Sequence, residues 1–238
     1  MNCINMHLDL LFSVLCQAEK MKEFVCDAVL LDMDGTLVDS TDVVIRQWQR
    51  WADRHGIPLE QILSNSHGVL TIDTMRRVAP NLATAEEAEA FERAETDDVD
   101  GVKAVKGASE FLGHLEYHQW AVVTSASREL ARVRLLAADL PLPNVLVSAD
   151  DIRAGKPDPE GYLMAARLLG AVPKHCLVVE DSVAGIQAAR RAGMSVVGIT
   201  TTVPCDQLDA DACISDFSDI RIDKSETHHG IRIQVTSA

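Results

Sequence analysis

The chain contains no apolar run near the ~20 residues that a membrane helix requires. It is also short of positive charge, with 22 Lys and Arg against 36 Asp and Glu and a net charge of −14. An acidic chain repels phosphate-rich polymers and anionic bilayers at long range, so neither nucleic acid nor a membrane is an expected partner. No C-x-x-C pair is present. Six cysteines, Cys3, Cys16, Cys26, Cys176, Cys205 and Cys213, lie apart, several of them in apolar runs. Free buried thiols in a reducing cytoplasm are therefore expected, rather than a disulfide framework or a zinc site. Internal repeats and low-complexity tracts are missing. Met1 to Gln17 has no basic leader and carries His7 and Asp9. Residues 1–20 are accordingly read as an extension, not a secretory signal, with Met21-Lys22 as an alternative start.

What remains has the composition of a globular protein: 238 residues, 47% hydrophobic and 24% charged. Such a length accommodates one large domain, or one domain with a smaller insert. Short runs rich in Val, Leu and Ile occur at Val25–Leu31, Trp120–Val123, Val145–Val147, Cys176–Val179 and Ser195–Ile199. Runs of this kind suit strands buried on both faces. Helical patterns lie between them. Asp158 precedes Pro159, a capping carboxylate before a proline at a helix start. Ser182 opens a segment in which Val183, Ile186 and Ala189 share a face, and Gly193 closes it. The alternation predicts an α/β fold, a Rossmann-like doubly wound parallel sheet.

Between Thr41 and Asp100 no strand is evident. Val44, Trp48 and Trp51 share one helical face, Ile72 and Met75 begin another, and Ala85–Thr96 reads as a third helix. This predicts an all-helical insert over residues 41–100, with a core formed by residues 21–40 and 101–238. Gly101–Gly107 serves as the return hinge. In the polar tail, Ile231–Val235 alternates and is expected to add an edge strand. His228-His229 has no third ligand nearby in sequence and is read as tail, not metal site.

The first strand runs into Asp32-Met33-Asp34-Gly35-Thr36-Leu37-Val38-Asp39-Ser40. Thr124-Ser125, Lys156-Pro157-Asp158-Pro159 and Glu180-Asp181-Ser182 with Gly185 follow in order, each at or just after a predicted strand end. These four motifs resemble those of the haloacid dehalogenase superfamily, specifically its sugar-phosphatase-like branch with a small helical cap. The resemblance spans about Met21 to Thr202. In an open parallel sheet, ligands bind beyond the carboxyl ends of the strands, so the four motifs would converge.

The resemblance implies a Mg²⁺-dependent phosphomonoesterase acting through an aspartyl-phosphate. Asp32 would be the nucleophile, since a carboxylate is ionised at neutral pH without help. Asp34 would be the general acid and then the base. Asp32, the carbonyl of Asp34 and Asp181 would hold Mg²⁺, with Glu180 acting through a water or from outside the inner shell. Thr124, Ser125 and Lys156 would hold the phosphoryl oxygens. In the insert, His67 and Gly68 match a position where relatives carry His-Gly followed by basic residues, but here Val69-Leu70 follows. Arg76 and Arg77 are possible replacements or simply solvated, and His67 is either a packing residue or a substrate contact.

Dehalogenation is disfavoured because its enzymes lack the acid that Asp34 supplies. Phosphonate cleavage needs an insert lysine, and none lies between Asp42 and Asp100. A sugar phosphomutase shares the core chemistry and stays open, as does an inactive binding protein of the same fold. The expected substrate is a small sugar or polyol phosphate, met by a cytoplasmic monomer.

Overall fold

Side chains alternate across a strand, and here they divide a sheet's two cores. Val29, Leu31, Val122, Val179 and Val197 fill one face, while Ala28, Leu30, Ala121, Val123, Val178 and Val196 fill the other. The computed structural model describes residues 21–223 and 230–237. In chain order the first elements are β1 (Met21–Cys26), β2 (Ala28–Leu31), β3 (Val38–Asp39), α1 (Thr41–His55), α2 (Leu59–Ser66), α3 (Thr71–Val78) and α4 (Ala85–Thr96). Then come β4 (Lys103–Ala104), α5 (Ala108–Gly113), β5 (Trp120–Val123), α6 (Arg128–Ala137), β6 (Leu146–Val147) and α7 (Glu160–Leu168). The chain continues through β7 (Cys176–Glu180), α8 (Val183–Arg191), β8 (Ser195–Ile199), β9 (Ala212–Ile214), β10 (Ile220–Asp223) and β11 (Ile231–Thr236).

The six-stranded sheet has the order β6-β5-β2-β7-β8-β9 and every pairing in it is parallel. With helices packed on both faces it is the doubly wound α/β fold that the alternation predicted. Among the described residues, no helix is long and apolar enough to cross a membrane.

Three expectations change. The run Val25–Leu31 is two strands, because the chain breaks at Asp27, whose N–H donates to the His175 carbonyl at 2.7 Å. Val25 lies in β1 and is exposed. The C-terminal segment is no edge of the main sheet. Instead β11 is the central strand of a separate antiparallel sheet, β1-β11-β10, with Ile231, Ile233 and Val235 buried. Finally, Cys205 and Cys213 form a disulfide. Cys26 and Cys176 are free and buried, as expected. Cys3, Cys16, His228 and His229 and the extension over 1–20 lie outside the described residues.

The insert contains four helices, α1 to α4, one more than the periodicity revealed. Trp48 packs on Phe91 with ring centroids 4.1 Å apart and edge-on to Trp51 at 5.6 Å. Ile62 and Met75 complete this small apolar core. The two connections to the sheet are themselves paired, β3 with β4, so they form a two-stranded ribbon in place of a loose hinge.

Ile233 is fully buried, whereas its neighbour Gln234 is half-exposed. Ile233→Ala should therefore cost about 2–5 kcal/mol in urea unfolding, and Gln234→Ala under about 0.5 kcal/mol. Equal small effects would contradict the central placement of β11.

Candidate active site

The carboxyl ends of four neighbouring strands bring the sequence motifs together. Asp32 follows β2, Thr124 follows β5, Glu180 ends β7 with Asp181 just after it, and Thr201-Thr202 lies beyond β8. Lys156 arrives from the loop before α7. Its ammonium, almost wholly buried, pairs with Asp32 and lies 2.5 Å from Glu180 Oε1. Burial works against that charge, but Asp32 and Glu180 outweigh it and raise the Lys156 pKa well above its usual value.

Glu180 is the most heavily bonded carboxylate of the group. Besides Lys156, Tyr162 donates its hydroxyl at 3.2 Å, and the amide and hydroxyl of Ser182 donate at 2.8 and 2.9 Å. The Ser182 hydroxyl in turn accepts from Gly185 N at 3.0 Å and caps α8. A side chain at Gly185 would collide with Glu180, since a Cβ there would lie 1.6 Å from Oε1. The Glu180-Asp181-Ser182…Gly185 pattern therefore secures one carboxylate and the helix start together.

Asp34 is set by a turn. Gly35 has φ +80°, a left-handed conformation that favours glycine, and a Cβ there would lie 2.1 Å from Asp181 Oδ2. Ser40 precedes α1 but does not cap it; its hydroxyl donates to Asp34 Oδ1 at 2.6 Å. The guanidinium of Arg134 pairs with Asp34 Oδ2 at 2.9 Å and with Glu95 at 2.7 Å. Arg134 lies on the core helix α6 and Glu95 on the insert helix α4, so this buried pair joins the two layers. The Nε–H of Arg134 has no hydrogen-bond partner among the described residues.

Asp32, Glu180 and Asp181 each offer an oxygen, all within 4.8 Å of one another and all buried. Burial raises the Asp32 pKa to about 7, with Lys156 opposing and Glu180 adding to the rise. Asp181 is likewise raised well above its usual value, by burial and then by Glu180 and Asp32. Three crowded carboxylates with one ammonium are short of positive charge. Hard oxygen donors in this arrangement fit a small divalent cation.

Above these groups is a cavity of about 330 Å³. The core supplies Asp32, Asp34, Thr124, Ser125, Arg134, Asp181 and Thr202 to its wall, and the insert supplies Trp48, His67, Gly68, Val69, Phe91 and Glu95. His67 is at the rim, and desolvation of its ring lowers its pKa. Gly68 has φ +71°, and its carbonyl accepts from the Ser125 hydroxyl at 3.0 Å. Leu70 packs onto Gly155, where a Cβ would lie 2.6 Å from Leu70 Cγ. The loop that departs from the basic pattern is thus occupied with docking the insert. Arg76 is not brought to the cavity: it is exposed and pairs with Asp73 at 2.8 Å. Arg77 is exposed too and donates to the Asn65 carbonyl at 3.4 Å.

Arg134 and Glu95 were missed in the sequence. Their signal was available as charges in helical core stripes, Arg134 beside Leu130, Ala131 and Leu135, and Glu95 beside Ala88 and Phe91.

Fold and site together define a doubly wound α/β protein with a buried carboxylate cluster, Asp32, Glu180 and Asp181, at the sheet's carboxyl edge. The haloacid dehalogenase-like hydrolase family matches residues 26–193, and the chain belongs to that family. Hexitol phosphatase A of Escherichia coli (strain K12) is 38% identical over 205 residues, covering 84% of this chain and 95% of that protein. Validoxylamine A 7'-phosphate phosphatase of Streptomyces hygroscopicus subsp. limoneus is 37% identical over 201 residues, covering 81% of this chain and 94% of the relative. The crystal structure of a hydrolase from Pseudomonas syringae superposes with a TM-score of 0.70 at 27% identity, covering 80% of this chain and 94% of its own.

The raised Asp32 pKa fixes the sign of one pH effect. The folded chain holds the Asp32 proton more tightly than the unfolded chain does. Its contribution to stability is therefore present below the ordinary 3.8 and is lost as pH rises through about 7. With chelator present, urea unfolding at the two ends of this window should show a loss of stability that Asp32→Asn reduces, with the buried Asp181 keeping a remainder of the same sign. Identical pH slopes for the two proteins would contradict the assignment.

Proposed function

We propose that this chain is a Mg²⁺-dependent phosphomonoesterase that hydrolyses a small sugar or polyol phosphate through an aspartyl-phosphate on Asp32. One observation carries the reading: Asp32 is held by Lys156 on the floor of a cavity whose wall presents a second carboxyl, Asp34, fixed by Ser40 and Arg134. The names of the hexitol and validoxylamine phosphate phosphatases support the substrate class.

Asp32, Asp181 and the carbonyl of Asp34 would hold the cation. Glu180 stays outside that shell because Lys156, Tyr162 and Ser182 already occupy its oxygens. When bound, the cation would neutralise charge so that a carboxylate can approach a phosphoryl dianion. Lys156 adds a fixed positive charge beside the nucleophile. The Thr124 hydroxyl, which accepts from Ala126 N, would turn its proton to a phosphoryl oxygen at the cavity wall, and Ser125 would do so only by giving up its bond to the Gly68 carbonyl.

In the first step, an Asp32 oxygen forms a bond to phosphorus as the ester P–O bond breaks. Asp34 gives its proton to the departing alkoxide. In the second step, Asp34, now a carboxylate, takes a proton from water as the water oxygen bonds to phosphorus. The P–O bond to Asp32 then breaks and inorganic phosphate leaves. The insert covers the site, so bulk water is held back during the first step.

Release of inorganic phosphate from hexitol, glycerol and p-nitrophenyl phosphates tests the reading. Chelation should abolish release and Mg²⁺ restore it, with Ca²⁺ a poor substitute. Asp32→Asn should abolish turnover with all three esters. Asp34→Asn should slow the alkyl esters by about 10²–10⁴-fold but the aryl ester's phosphorylation step far less, because its leaving group needs no proton. Phosphate moved within the sugar, without release, would instead identify a mutase. Near-normal turnover by Asp32→Asn would overturn the mechanism.

A further inference from the structure

Among the described residues, the cavity's leaving-group side has no spare cation. The insert contains no lysine from Asp42 to Asp100, and its arginines are committed elsewhere. Arg46 and Arg50 reach Asp98 at 2.6 and 3.5 Å, Arg54 reaches Glu87 at 3.5 Å, and Arg93 reaches Glu89 at 3.5 Å. Arg76 and Arg77 are bonded to Asp73 and to the Asn65 carbonyl. None of these arginines lines the cavity. From the core, Lys156 is spent on Asp32 and Glu180. Arg134 is the one arginine among the described lining residues, and it is shared between Asp34 and Glu95.

We infer that the Glu95–Arg134 pair determines substrate class, admitting phosphate monoesters with an uncharged polyhydroxyl leaving group and rejecting those with a second anionic group. This rests on the phosphatase reading and narrows it. Arg134 lines the cavity with its two terminal nitrogens already paired to Asp34 and Glu95, and the Glu95 carboxylate beside it is an acceptor for a hydroxyl. Trp48 and Phe91 supply an apolar wall for C–H surface. A second carboxylate or phosphate would lose its hydration, find no free cation and face the Glu95 carboxylate. Glu95 thus acts by neutralising Arg134, which would otherwise attract such a group.

Glycerol 3-phosphate and 3-phosphoglycerate form a matched pair, differing by a carboxylate in place of a hydroxymethyl group. For the wild-type chain with Mg²⁺, kcat/KM should favour glycerol 3-phosphate by about 100-fold, the scale of one uncompensated charge at short range. Glu95→Gln keeps a hydrogen-bonding group beside Arg134 but removes the neutralising charge. It should lower that preference by about tenfold, through a gain in kcat/KM for 3-phosphoglycerate. Both esters are assayed on one preparation, so partial misfolding cancels from the ratio. A wild-type ratio near one overturns the proposal and requires no variant. An unchanged ratio in Glu95→Gln overturns the role of the pair. Equal release from both esters leaves the phosphatase reading standing, whereas no release from either ester or from hexitol phosphate sinks that reading as well.

Discussion

One buried ammonium holds the site together. Lys156 lies between Asp32 and Glu180, three charged groups with almost no exposure to water. Carboxylates this close and this dry cannot all be ionised without compensation, which is why burial pushes Asp32 and Asp181 toward their neutral forms. The protein meets part of the deficit with Lys156 and with the Ser182 and Tyr162 bonds to Glu180. One ammonium shared between Asp32 and Glu180 leaves the cluster, Asp181 included, short of positive charge, and that deficit suits a divalent cation.

The sheet makes this arrangement feasible. Parallel strands buried on both faces end together, so four separated motifs reach one point without long loops. The backbone permits the approach: Gly35 leaves room for Asp181, and Gly185 leaves room for Glu180. Further out, Gly68 lies against Ser182, where a Cβ would be 2.0 Å from the hydroxyl oxygen. The insert therefore rests on the same residue that bonds Glu180. Arg134 makes a second connection, from Asp34 in the core to Glu95 in the insert. Asp34 and the insert's Glu95 share one guanidinium, which ties the turn after β2 to the roof of the cavity.

Much of this was legible in the residue order, for a physical reason. Strand ends, tight turns and metal-suited carboxylates demand particular residue types at short spacings, and Asp32 to Ser40 and Glu180 to Gly185 carry that demand locally. Long-range pairings leave no such trace. Arg134 and Glu95 are 39 residues apart and each resembles a surface charge until both are placed on buried helix faces. β9 is only three residues long, too short for its apolar pattern to stand out, and with it went the pairing of Cys213 with Cys205. The break at Asp27 depends on a bond to His175, 148 residues away. Arg76 shows the converse, a local motif that left two placements open. Its position after the His67-Gly68 loop allowed either a substrate contact or a solvated charge, and in the structure it is exposed and pairs with its i,i+3 partner Asp73.

Rapid acid quench of single-turnover mixtures tests the proposed covalent phosphorylation of Asp32 directly. With hexitol phosphate and Mg²⁺, peptide mass spectrometry should find a transient phosphoryl group on the segment containing Asp32, forming as the alcohol is released and decaying as phosphate appears. A phosphoryl group on any other residue, or complete phosphate release with no covalent species at any quench time, would contradict it.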